Sequence, residues 1–412
     1  EHYPISCFIF QSIQVGAMQV FLLTEFNKYG IHVNVKKVNS KPMSFGQMLR
    51  NRRIIKGYSL RKLSSMLDGV VSHEMLSRYE KDAAEPRAEV KEKLCSMLEI
   101  NENETYSALV TPPDVKFRRS RWSIPQKDIE AAQLLALELC NHYLSLENVL
   151  GDRIEWKNPF SVNECKKLLR RTKNEQDRAT ALEEIAEELR KRWNLGGGPI
   201  PSLSSLLEQK GILVCEVPFN SNRIDGFSFF YEGRPFICVA DLLNRKPVRK
   251  RMTLAHELGH ILFPDMDKDE PSDKEYCIMR FAGAFLIPRP AVIDALGSSM
   301  RKELPLYELL GMKHYYGISI VGLMARAMQL HIIDWEQYCS FNTRFYRHFY
   351  AHSPEEQQLD LEPGVPYVVP DVSLRPTLLV NRILSTGKLN LPDGLQYSEV
   401  QEIENISQDL LK

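Results

Sequence analysis

His256, Glu257 and His260 occur in the run His256-Glu257-Leu258-Gly259-His260, two imidazoles four residues apart with a carboxylate between them. Residues four apart in a helix lie on one face, so both rings can direct a nitrogen at one ion about 2.0–2.1 Å away. Zinc held in this way lowers the pKa of a bound water towards about 7, and Glu257 can take that water's proton and pass it to a leaving amine. The chemistry implied is hydrolysis of a peptide bond.

Positioning these groups requires a helix. Arg249 to Phe263 reads as one, with Met252, Leu254, Ala255, Leu258, Ile261 and Leu262 as its apolar surface and Pro264 as its stop. Gly259 costs about 1 kcal/mol of helix stability against Ala. Close approach of another backbone explains that cost, and so does a helix crossing. Two His ligands leave a zinc site one protein ligand short. A second helical run, Lys274 to Pro288, carries Glu275 in its first turn, and two antiparallel helices joined by the loop Asp265 to Asp273 bring it near the first. Glu275 is the expected third ligand, with Glu270 in the loop as its rival.

Upstream, Gly211 to Val217, Gly226 to Tyr231 and Pro235 to Ala240 are short β-rich runs, the last two separated by Glu232-Gly233-Arg234 as a hairpin turn. An edge strand beside such a site can hold an extended substrate through main-chain hydrogen bonds. Phe236 to Ala240 is the expected edge, against the alternative of a purely structural hairpin.

The pattern from Arg249 through Pro288 resembles the ImmA/IrrE metallopeptidase domain: a basic lead into a helical HELGH, then Glu275, Phe281-Ala282 and Leu286-Ile287-Pro288. The resemblance extends upstream through Ile185 to Trp193, Pro199 to Gly211 and Asp225-Gly226-Phe227, covering roughly residues 175 to 340. The family usually has Ala-Asn where this chain has Ile278-Met279. The resemblance implies a zincin-like fold and a protein substrate, commonly a helix-turn-helix repressor.

Ser44 to Ile100 reads as five short helices. Phe45 to Lys56 opens the module, Ser59 caps Leu60 to Leu67, Ser72 caps His73 to Glu80, and Ala88 to Leu98 closes it after Pro86. Ser59 with Leu63, the run Leu76-Ser77-Arg78-Tyr79-Glu80 and Pro86 are similar to the Cro/C1-type (XRE) helix-turn-helix. That resemblance implies Ser72, His73, Glu74 and Ser77 at base edges and Arg61, Lys62, Arg78 and Lys81 near phosphates. The module has eleven Lys and Arg against eight Asp and Glu, a difference of plus three. Dimerisation or partner docking is the other use of such a module.

A chain of 412 residues, 43% of them apolar, has the length for two or three domains and the material for their cores. Zero net charge points to neither a nucleic-acid nor a membrane partner, so the DNA reading rests on the local motif. Eight scattered cysteines without a CxxC pair suit a reducing compartment. The semi-apolar stretch Ile5 to Leu23 is interrupted by Gln11, Gln14 and Gln19 and has no basic lead, unlike a signal peptide. Lys116 to Trp122 is a basic and aromatic run that can touch phosphate or serve as a solvated connector. His314, Tyr315, Tyr316 and His331 are candidate donors to an oxyanion.

The expectation is an α+β, mainly helical protein. It has a weakly structured extension (1–42), a five-helix helix-turn-helix domain (43–105), a helical connector (106–174), a zinc peptidase domain with a small sheet (175–340) and a C-terminal tail (341–412). Its cofactor is Zn2+. Its partners are duplex operator DNA, a protein substrate and, as a candidate, a second copy; it has no membrane and acts in the cytoplasm. The alternative is a non-enzymatic, antitoxin-like or repressor protein that uses the peptidase fold for binding.

Overall fold

Ser44, Ser59 and Ser72 each precede a run with apolar residues at helical spacing, and each starts a helix. Their hydroxyls accept from the amides of Gln47, Lys62 and Met75 at 3.1–3.2 Å, caps that each contribute about 1 kcal/mol. The helices are α1 (Phe45–Ile55), α2 (Leu60–Met66), α3 (His73–Glu80) and α4 (Ala88–Leu98). Leu49, Leu63, Leu76, Leu94 and Leu98 form their core with no exposed surface. The module therefore has four helices where five were expected. The stretch after α3 is a turn, in which Asp82 adopts φ 53° and accepts from the Gly46 amide and the Ser44 hydroxyl.

The structure, a computed structural model, describes residues 43–100, 117–119, 124–161, 164, 175–219, 221, 223–263, 271–349 and 371–386. The N-terminal extension, Glu270, and most of the loop before Pro271 and of the C-terminal tail lie outside these residues. The chain folds as two units: Ile154–Val214 with Gly226–Ser373, and the described parts of Ala17–Arg153 and Leu374–Lys412 with Cys215–Asp225.

In the second of these units, Phe117–Arg119, within the expected connector, forms a three-residue strand, β1. Helix α5 (Gln126–Leu150) packs on α1, with Arg52 paired to Glu138 at 2.9 Å and Met48, Ile55 and Leu134 lining one small cavity. A late helix, Arg375–Ser385, packs on α5 through Arg375 and Glu147 at 3.1 Å. The segment read as connector thus packs on the four-helix module through α5, and the helix from the segment read as tail packs on α5 in turn.

The other unit opens with α6 (Glu175–Arg192) and α7 (Leu203–Gln209). Strands β2 (Leu213–Val217), β3 (Ile224–Tyr231) and β4 (Arg234–Ala240) follow along the chain, Cys215–Asp225 being counted with the second unit. β3 and β4 pair antiparallel from Gly226↔Val239 to Tyr231↔Arg234, closed by Glu232 and Gly233 at φ 49° and 73°. Two successive positive φ values suit the right-handed twist of a hairpin, and Arg234 belongs to the strand rather than to the turn. β4 lies between β3 and β2, so Phe236 to Ala240 is not an edge and cannot receive a substrate strand. Its seven residues are all buried, as a central strand requires.

Helices α8 (Pro247–Leu262), α9 (Pro271–Leu286), α10 (Arg289–Leu296), α11 (Leu306–Tyr316), α12 (Ile320–Gln329) and α13 (Trp335–Phe349) complete the unit. Glu183 of α6 takes both Arg280 of α9 (3.1 Å) and Arg326 of α12 (2.8 Å) in the interior, tying three helices together. Asp371 accepts from the amides of Leu203 and Ser204 at the start of α7 and from Arg251 of α8 at 2.8 Å. Among the described residues, no single helix is long and apolar enough to cross a membrane.

Candidate metal centre

Pro247 occupies the first turn of α8, where its missing N–H costs nothing, so the helix starts two residues earlier than the sequence reading placed it. Leu254, Ala255, Leu258, Ile261 and Leu262 face the core. Their burial aligns the other positions of the same helix: His256 is 1% exposed and Glu257 1% exposed, with His260 partly open.

Gly259 is where α9 crosses. A Cβ there would lie 3.0 Å from Ile278 Cγ2 and 3.1 Å from Phe281 Cδ1. The approach is by side chains of a neighbouring helix, which selects the helix-crossing explanation for the glycine. Ile278-Met279 stands where the resembled pattern has Ala-Asn, and Ile278 fills this contact. α9 begins at Pro271 rather than Lys274, so Glu275 sits in its second turn.

The crossing brings three donors together. The Nε2 atoms of His256 and His260 are 3.0 Å apart, and Glu275 lies 3.0 Å from the first through Oε2 and 3.5 Å from the second through Oε1. A tetrahedral ion with bonds of 2.0–2.1 Å has ligand atoms roughly 3.3 Å apart. Two imidazole nitrogens aimed at one point repel unless a proton or a cation lies between them. Donor types and separations therefore fit zinc, with His256, His260 and Glu275 as the residues that would hold it. Burial pushes the Glu275 carboxyl up, but the His256 hydrogen bond and the charges of His256, His260 and Lys274 outweigh it, holding the group below its ordinary value.

The matched family is a peptidase family: residues 207–328 match the IrrE N-terminal-like domain. This IrrE-like stretch contains His256, Glu257, His260 and Glu275 and ends before Asp371. Comparison of the chain with curated proteins and with solved structures finds no match.

Within the IrrE-like stretch, one polar partner escaped the sequence reading. Ser228 of β3 donates to Glu257 Oε2 at 2.8 Å. A lone serine in an apolar strand carries no pattern that predicts this contact. Of the oxyanion candidates, Tyr316 points its hydroxyl at the Gly197 carbonyl, 3.5 Å away, and its ring meets Tyr315 edge-on at 4.9 Å.

The residues expected to meet DNA lie on α2, α3 and their flanks. Arg61, Lys62, Ser72, Glu74, Arg78 and Lys81 are exposed, and His73 and Ser77 half-buried. Several are already engaged: Ser72 caps α3, Lys62 lies 4.5 Å above the Tyr58 ring, and His73 Nε2 is 3.1 Å from Glu74 Oε1. The Glu74 carboxyl is held low by its own backbone amide and by the Ser72 hydroxyl.

The zinc assignment has a direct test. Purified protein should carry about one zinc per chain, and His260→Ala should lose most of it because only two ligands remain. His314→Ala and His331→Ala should keep it. Equal metal content in wild type and His260→Ala, by atomic absorption, would remove His260 from the site.

Proposed function

We propose that this chain is a cytoplasmic DNA-binding regulator carrying a zinc-dependent endopeptidase domain that cleaves a repressor-type protein. The observation that carries the peptidase half is the convergence of His256, His260 and Glu275 on one point with Glu257 on the same helix. A bound zinc supplies Lewis acidity towards the scissile carbonyl and lowers the pKa of water. His256, His260 and Glu275 would hold the ion. Glu257 accepts a proton from the attacking water and returns it to the leaving amine. Such a general base has no use in a pure binding module, which favours the enzyme over an antitoxin-like protein built on the same fold.

The DNA half rests on α2 and α3 with Arg61, Lys62, Arg78 and Lys81 along their exposed side. The substrate class follows from the family resemblance, and a second copy on a symmetric operator is the partner state that suits a single recognition helix per chain.

Incubation of the full chain with repressors encoded by adjacent genes, with and without a chelator, tests cleavage. No chelator-sensitive product from any of them would defeat the endopeptidase reading. DNA binding is tested on the full chain, since α1 packs on α5. Affinity for duplex carrying the upstream region should fall as salt rises, and Arg78→Ala should weaken binding at all sequences and reduce the salt slope by about 1. An Arg78→Ala salt slope equal to that of wild type would take Arg78 off the phosphates.

A further inference from the structure

Strand β3 touches the helix that carries His256 and His260 at two points, and the spacing of the two matches. Two residues along a strand advance about 6.8 Å, and four along a helix about 6 Å. Gly226 meets Thr253, where a Cβ would come within 3.0 Å of Thr253 Cγ2, and two residues on, Ser228 meets Glu257, four residues on. Gly226 permits the approach, because its Cβ would also stand 2.7 Å from the Cys238 carbonyl. The alternate residues Phe227 and Phe229 are buried on the other face of the strand.

We infer that Ser228 is a positioning residue for the general base: its hydroxyl, held on a paired strand, fixes the plane of the Glu257 carboxylate beside the metal site. This rests on the peptidase reading above. The terminal torsion of a glutamate is broad, so a carboxylate without a directional partner samples many orientations. A proton acceptor must lie within hydrogen-bond reach of the water it serves, and small misplacements of that kind are costly in rate. Ser228 supplies the direction from a rigid element. Its strand neighbours are locked by the β3–β4 register, in which Ser228 faces Ile237. The same hydroxyl lies 3.4 Å from the Glu257 carbonyl, so it tracks the helix backbone as well as the side chain. The bond to Oε2 orients one oxygen and thereby sets the direction of the other.

The experiment compares wild type, Ser228→Ala and Ser228→Thr, all full length, in two measurements that need no substrate. The first is zinc content and affinity. The second is calorimetric titration of the zinc-loaded protein with acetohydroxamate, a small zinc chelator whose N–H and O–H groups can also hydrogen-bond to a carboxylate beside the ion. Ser228→Ala should keep zinc at wild-type affinity and bind acetohydroxamate at least fivefold more weakly, whereas Ser228→Thr, which retains the hydroxyl, should bind within twofold of wild type. Wild-type acetohydroxamate affinity in Ser228→Ala would overturn the inference. So would loss of zinc in that variant, or a Thr variant as weak as the Ala variant, since each assigns Ser228 to packing. Absence of zinc from wild type would instead defeat the peptidase reading itself.

Discussion

Glu257→Gln should retain zinc and lose cleavage by roughly 10²–10⁴-fold, the contribution of a positioned general base. Gln has the size and polarity of Glu, so the buried position, 1% exposed, is filled as before, and Ser228 still finds an acceptor in the amide oxygen. What disappears is the capacity to take a proton. His256, His260 and Glu275 are untouched, and metal content should stay near one per chain. The loss should fall on kcat more than on KM, because the missing step belongs to the transition state rather than to binding. Full cleavage by the Gln variant would exclude Glu257 as the base. If the protein instead acts only by binding, the variant should still act on a reporter for adjacent genes while deletion of residues 43–100 abolishes the effect.

Asp371→Ala should destabilise the unit that carries His256, His260 and Glu275 by about 3–5 kcal/mol, the cost of breaking a buried ion pair by removing one partner. Asp371 and Arg251 both have side chains with no exposed surface, and Asp371 also receives the amides of Leu203 and Ser204 at 3.0 and 2.7 Å. Its removal leaves the Arg251 guanidinium on α8, about one turn before His256, with the Ile200 carbonyl but no carboxylate, and takes an acceptor from the first two amides of α7, where Ser202 still caps the Ser205 amide. A unit of this size shifts its midpoint by roughly 2–4 °C per kcal/mol, so melting should fall by about 10 °C. Asp371→Asn, which keeps an acceptor, should cost less. A midpoint for Asp371→Ala within 2 °C of wild type would show that the pair is not a support of the fold. The residue lies well beyond the family match, so a fragment ending at residue 349 should be unstable for the same reason.

Features legible in the sequence are those set by neighbours a few residues apart. Ser44, Ser59 and Ser72 cap helices because each hydroxyl reaches an amide three positions on. Gly233 marks the hairpin because it takes positive φ without steric cost, and Glu232 is carried into the same region at φ 49°. His256 and His260 share a face because 3.6 residues make a turn, and Glu275 is near in the chain because only a short loop separates two amphipathic helices. Even there the start of α9 was misplaced by three residues, since helix ends are decided by weak local preferences.

Tertiary structure alone decided what depends on partners distant in the chain. Gly259 is explained by Ile278 and Phe281, Ser228 by Glu257, 29 residues away, and Arg251 by Asp371, 120 residues away. The position of β4 inside its sheet follows from strand order, which a hydrophobic run does not encode: buried central and half-covered edge strands differ in neighbours, not in composition. Local periodicity thus placed the chemistry on a helix, whereas the hold on its carboxylate and the support of that helix came from contacts that exist only once the chain has folded.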